Sequence, residues 1–154
     1  MRGSIPFCSE GFQKFGGNIT CILLEGPKRT VILDAGTGIR ELGKEMAHDP
    51  HLGIDRYLAF SHFHWDHIQG LPFFAPAYDS RRNFTVSAIG RGDRSKDLRS
   101  IFETRMLEEY FPVCFDDMGA EIVFLNHPES RMNIGKAFVR VIKQLLLSFV
   151  LIIE

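Results

Sequence analysis

The segment Ser61-His62-Phe63-His64-Trp65-Asp66-His67 gathers three of the chain's six histidines and places an aspartate before the last of them. Imidazole nitrogen and carboxylate oxygen are the ordinary ligands of zinc and its neighbours. His62 and His64 stand at i and i+2, so an extended backbone points both to one side. Asp66 and His67 add an oxygen and a nitrogen as the chain turns. Four donors this close in sequence do not readily converge on one tetrahedral ion. Two ions about 3.5–4 Å apart fit the spacing better. A lone surface His-x-His is commonly a polar loop; a set of four donors behind an apolar strand points to metal. His62, His64, Asp66 and His67 are therefore predicted to form a dinuclear metal site.

Such a loop needs a strand behind it. Arg56–Phe60 reads as a buried strand and puts the cluster at its carboxyl end, a frequent place for active-site loops. A second buried run, Thr30–Leu33, ends in the same way at Asp34-Ala35-Gly36-Thr37-Gly38. Its glycines permit a tight turn, and the Asp34 carboxylate is predicted to hold a ligand histidine from behind. The segments Ile19–Leu24, Phe84–Ile89, Glu121–Leu125 and Phe138–Ile142 also read as strands. Ile39, Leu42, Met46 and Ala47 recur at helical spacing, with Thr37 as the candidate cap. Leu98, Ile101, Phe102 and Met106 do the same, with Arg99 and Glu103 paired at i, i+4 on the outer face. Interleaved strands and helices imply α/β or α+β with layered sheets.

With 154 residues and 17.6 kDa, the chain fits one domain that buries roughly two-thirds of its unfolded surface. Lys and Arg number 18 against 19 Asp and Glu, a net charge of -1, so no overall basic field favours nucleic acid or an anionic membrane. Cys8, Cys21 and Cys114 are odd in number and form no Cys-x-x-Cys pair, which argues for a reducing compartment. The N-terminus has no signal-like apolar core. The longest apolar stretch, Leu145–Ile153, is interrupted by Ser148 and falls short of the about 20 residues a membrane helix needs. The expectation is a cytoplasmic protein with no membrane partner. Arg81, Arg82, Arg91 and Arg94 flank one strand and either steer an anionic substrate or form a solvated surface with Asp79, Asp93 and Asp97. Leu71–Phe74 and Ala75-Pro76 are placed beneath the metal loop or along a substrate pocket.

The His-x-His-x-Asp-His signature resembles that of the metallo-β-lactamase superfamily of metal-dependent hydrolases. The likeness extends to Arg2-Gly3-Ser4-Ile5-Pro6, to Gly16-Gly17-Asn18-Ile19-Thr20-Cys21, to Leu33–Gly38 and to His64–Phe74. In these it is similar to a bacterial branch grouped loosely with cyclic-nucleotide phosphodiesterases and tRNA 3′-processing endonucleases. Tyr110-Phe111-Pro112-Val113 shares that likeness, which runs from Arg2 to about Ile142. The resemblance implies an α+β fold, the αββα sandwich of two face-to-face mixed sheets with helices outside. It implies two divalent ions, zinc before manganese or iron, with His62 and His64 on the first and Asp66 and His67 on the second. Asp66 and His67 would carry the catalytic role, and a hydroxide bridging the metals would be the nucleophile. The implied substrate is a phosphodiester in a small-molecule or nucleotide-like anion. Nucleic acid stays open but gains nothing from the net charge. A thioester or lactone is the alternative substrate.

By the same resemblance a later His, an Asp bridging both metals and a final His are expected. After His67 the chain has only His127, in Asn126-His127-Pro128-Glu129-Ser130, without the glycines that follow such a histidine in the family. His127 joins the ligand set on that likeness alone; the other reading is a Pro-flanked turn. Residues 1–154 are accordingly read as a single incomplete domain, the N-terminal half to two-thirds of the fold, truncated, frameshifted near Gln144 or degenerate. An uncovered sheet surface would favour self-association. An inactive metal-binding fragment is the competing reading from outside the enzymes.

Overall fold

Two sheets organise the computed structural model, which describes residues 5–7, 9–12, 17–26, 29–48, 55–88, 98–126, 131–134, 137–143 and 149–153. The larger sheet runs in the order β1 (Ile22–Glu25), β2 (Arg29–Leu33), β3 (Asp55–Phe60), β4 (Asn83–Ala88) and β5 (Glu121–Asn126). β1 is antiparallel to β2, and β2 to β5 are parallel. Alternation along each strand gives the sheet one continuous apolar face. Ile32, Leu58, Val86 and Phe124 stand in register across four strands, with Phe84 opposite Ile122 in the next row.

Strands taken in one direction, joined by right-handed crossovers, place their connections on the same face. α1 (Ile39–Ala47) links β2 to β3. α2 (Trp65–Ile68) and the short turns Leu71–Phe73 and Ala75–Tyr78 lie between β3 and β4, and α3 (Leu98–Arg105) precedes β5. Ile39, Met46, Ile68, Leu71, Phe74, Phe102 and Met106 from these connections join the strand residues in one core. Phe74 meets Phe84 edge-on, with ring centroids 5.4 Å apart and both side chains fully buried. Each such burial contributes about 1.5–3 kcal/mol, so the core is what holds the loops at the sheet's carboxyl edge.

The second sheet is an antiparallel meander of β6 (Arg131–Ile134), β7 (Ala137–Lys143) and β8 (Phe149–Ile153), with β6 nearest β2. On the face of the larger sheet away from the helices, Val31, Leu33, Ala59 and Ser87 are buried. Val123 and Leu125 of β5 are 44% and 40% exposed, so cover fades from β2 toward β5. The α+β expectation therefore stands, with one mixed sheet, while the second sheet is antiparallel where the resemblance implied a mixed one.

Several local expectations change. Thr37 does not cap α1: the N-cap is Gly38, with no side-chain hydrogen bond. Thr37 Oγ1 instead accepts the Ile19 N–H at 3.0 Å and donates to Asn18 Oδ1 at 3.2 Å. That also delays β1 to Ile22. The Ile19 and Thr20 carbonyls accept from Gly38 and Gly36, so these residues serve the Asp34–Gly38 loop rather than a strand ladder. Arg82 is 3% exposed and donates to Asp79 Oδ2 and the Met46 carbonyl, while Arg81 pairs with Asp79. These two arginines therefore hold a turn; Arg91 and Arg94 lie outside the described residues. The Arg99–Glu103 pair on α3 is present. No helix among the described residues is long and apolar enough to cross a membrane.

Candidate metal centre

Parallel pairing sets Leu33 beside Ala59, so the loops leaving β2 and β3 emerge at the same edge. Asp34 opens the first loop with φ at 59°, a left-handed conformation that short polar residues tolerate best. Its cost, of order 1 kcal/mol or more, is offset by what its side chain holds. The Asp34 carboxylate, nearly inaccessible to water, accepts the Ser61 N–H at 2.8 Å, the Ser61 hydroxyl at 2.8 Å and His67 Nδ1–H at 2.8 Å. A hydroxyl has one proton, and Asp34 takes it. Ser61 Oγ must then accept at 2.9 Å from His62 Nδ1–H. The network thus places a proton on Nδ1 of both His62 and His67, so that each ring in its neutral form presents the Nε2 lone pair that binds metal.

The four predicted donors meet at the end of β3. The ring centroid of His62 lies 4.5 Å from that of His64 and 4.0 Å from that of His67. His67 Nε2 is 3.4 Å from Asp66 Oδ2. His62 and Asp66 are buried and His64 is exposed. Among the described residues no three His, Cys, Asp or Glu side chains already stand around a common point for an ion. The His62 ring lies against those of His64 and His67. The donor chemistry nonetheless fits a divalent cation. A neutral His67 Nε2 and the Asp66 carboxylate are both acceptors, so they repel unless a proton or a cation lies between them.

The electrostatics divide the histidines. Burial pushes the His62 pKa down to about 4, helped by the neighbouring His67 and His64. Burial opposes charge on His67 as well, but the Asp34 hydrogen bond and the Asp34 and Asp66 charges prevail and hold its pKa above the ordinary value. Cys21 lies within reach of the Asp34 charge; burial first, then that charge, pushes its thiol up to about 12.

The backbone locks the two loops together. Ala35 N–H donates to the His67 carbonyl at 2.7 Å, and Gly70 N–H to the Ala35 carbonyl at 2.8 Å. Glycine is required at this crossing. A Cβ on Gly70 would stand 2.2 Å from the Gly36 oxygen, and one on Gly36 would stand 2.7 Å from the Asp66 oxygen. Leu71, Phe74 and Pro76 are buried beneath the loop, whereas Phe73 is exposed.

Residues 15–81 match the model of the metallo-beta-lactamase superfamily. Superposition on the metallo-beta-lactamase fold protein YhfI from Bacillus subtilis gives a TM-score of 0.54 at 13% identity, over 97% of this chain and 52% of that one. The chain has the metallo-beta-lactamase fold. A diphosphatase of the PhnP family shares it, with a TM-score of 0.50 and 17% identity over 79% of this chain and 42% of that one. The chain thus spans about half the length of these two proteins. No curated protein matches it in sequence.

In this metallo-beta-lactamase fold the structure brings together His62, His64, Asp66 and His67, with Asp34 against His67. His127 lies outside the described residues. Sequence reasoning missed Ser61, whose hydroxyl ties Asp34 to His62. The available signal was its place between the buried strand and His-x-His.

Proposed function

We propose that the chain is a metal-dependent hydrolase acting on a phosphodiester, with His62, His64, Asp66 and His67 holding two divalent ions, zinc first among the candidates. One observation carries this reading: the Asp34–Ser61 network fixes both Nδ1 protons, leaving Nε2 of His62 and His67 as donors beside the Asp66 carboxylate. When bound, such ions supply Lewis acidity and a water activated near neutral pH. Asp34 orients His67 and makes its Nε2 more basic, Ser61 does the same for His62, and the buried Asp66 contributes negative charge. Core residues beneath the loop keep these groups from drifting, which matters because a misplacement of about 1 Å can lose on the order of a hundredfold in rate.

The choice of a phosphodiester over a carbonyl ester follows the likeness of residues 64–74 to the phosphodiesterase branch, and a PhnP-family diphosphatase with the same fold is in keeping with it. A cytoplasmic setting belongs to this reading, supported by the free thiols of Cys21 and Cys114. The test is a zinc and a manganese titration of the purified chain with a chromogenic phosphodiester. Weak metal binding with slow hydrolysis that disappears in His64→Ala is expected, because the later ligands implied by the resemblance are not in the donor set. Turnover of a thioester or lactone but not of the phosphodiester would overturn the substrate, and tight metal binding without any turnover would overturn the enzyme.

A further inference from the structure

The segment Thr104–Tyr110, where α3 ends and the chain turns, borders two clefts of opposite charge. Trp65, Thr104, Arg105 and Tyr110 line the first, of about 370 Å³. The Arg105 guanidinium lies over the Trp65 indole there, 5.6 Å from the ring centre. The second cleft, of about 570 Å³, is lined by Leu107, Glu108, Glu109, Cys114 and Asp116 among others. Asp116 and the nearby Glu103 both bond to Arg99. Glu108 and Glu109 make no ion pair among the described residues, and neither does Arg105. Apolar side chains stand in water among these charges: Trp65 is 52%, Leu107 46% and Tyr110 75% exposed.

We infer that this surface pairs with the same surface of a second copy of the chain, Arg105 of each copy entering the acidic cleft of the other. A two-fold axis exchanges the two clefts, so a patch that carries an unpaired cation beside unpaired carboxylates is complementary to itself. Leu107 stands midway in sequence between Arg105 and Glu109, and an axis passing beside it sets leucine against leucine. An acidic partner would satisfy Arg105 and be repelled by Glu108 and Glu109, and a basic partner would meet the reverse; a second copy answers both. Trp, Tyr and Arg are the side chains that dominate interface energies, and Trp65, Leu107 and Tyr110 would leave water together with the charges between them. The net charge of -1 keeps overall repulsion between copies small. None of these contacts involves a predicted metal donor, so the pairing stands or falls apart from the metal centre.

Charge reversal makes the test specific. In sedimentation equilibrium the purified chain should form a concentration-dependent dimer that weakens as salt rises, because exposed charges are screened. Arg105→Glu should weaken the dimer about a hundredfold, and so should Glu108→Lys combined with Glu109→Lys, since each sets like charges together at both contacts. All three positions are exposed. Mixing the two variants brings opposite charges together at both contacts, so the mixture should dimerise although neither variant does alone. A variant that had merely failed to fold would not be rescued in this way. Emission from Trp65, the chain's only tryptophan, should shift to longer wavelength as the dimer dissociates. A monomer at every concentration would overturn the inference. So would a mixture that stays monomeric, or a dimer indifferent to both variants, as one built on the exposed Val123 and Leu125 of β5 would be.

Discussion

Replacing Asp34 by asparagine keeps the shape of the side chain and changes only its chemistry. The amide oxygen can still accept the Ser61 N–H that Asp34 Oδ1 takes at 2.8 Å. The amide NH2 then stands where Oδ2 accepted His67 Nδ1–H at 2.8 Å, and donor faces donor. His67 resolves the conflict by moving its proton to Nε2, the atom that faces Asp66 and that metal needs. Loss of such an orienting partner typically costs about 10–100-fold in metal affinity. Asp34 is 4% exposed, so solvent screens little of the effect on the fold itself. Exchanging a charge-assisted hydrogen bond for a neutral one removes about 1–2 kcal/mol, equivalent to roughly 2–8 °C in Tm for a domain of this size. Zinc affinity is measured by competition with a chromophoric chelator, and the His67 tautomer by long-range proton–nitrogen NMR. Asp34→Asn protein that binds zinc as tightly as the native chain, with Nδ1 of His67 still protonated, would refute the orienting role.

Gly36→Ala should destabilise the protein by about 1–3 kcal/mol or more, because its Cβ meets the Thr20 and Asp66 carbonyl oxygens at 2.6 and 2.7 Å; a thermal melt measures this. Phe84→Ala should cost about 3–5 kcal/mol, since the ring is 1% exposed between the sheet and Phe74, as denaturant unfolding would record. The Cys21 thiol, raised to about 12, ionises only above that pH, so at pH 8 only about one molecule in ten thousand carries the reactive thiolate. Alkylation followed by peptide mapping should therefore label the exposed Cys114 far faster than Cys21 in the folded protein, and the difference should vanish in denaturant.

Where side chains alternate or run apolar up to a polar stop, the chain could be read directly. β2 ends at Asp34 and β3 at Ser61, and both stops turned out to be working residues of one network. That reading succeeds because parallel pairing forces neighbouring carboxyl ends together. The second sheet was less legible. Arg131–Ile134 is too short and too polar to show a period, and Phe149–Ile153 is hidden within a longer apolar run. Thr37 was misread because a threonine before a helix favours capping, while tertiary contacts with Asn18 and Ile19 claimed its hydroxyl. The left-handed turn at Asp34 and the role of Ser61 depend on two segments meeting, which no local pattern carries. Nor did spacing indicate that the His62 ring packs against those of His64 and His67.

Diffraction from crystals soaked in zinc, with data on both sides of the zinc absorption edge, tests the central claim most directly. The account predicts an anomalous peak bonded to His62 and His64, with Asp66 and His67 on a second peak or sharing the first, at nitrogen distances of about 2.0–2.1 Å. His67 Nδ1 should remain on Asp34 in that structure. Zinc bound only elsewhere, at Cys114 for example, or a loop whose histidines stay in ring contact at saturating zinc, would contradict it.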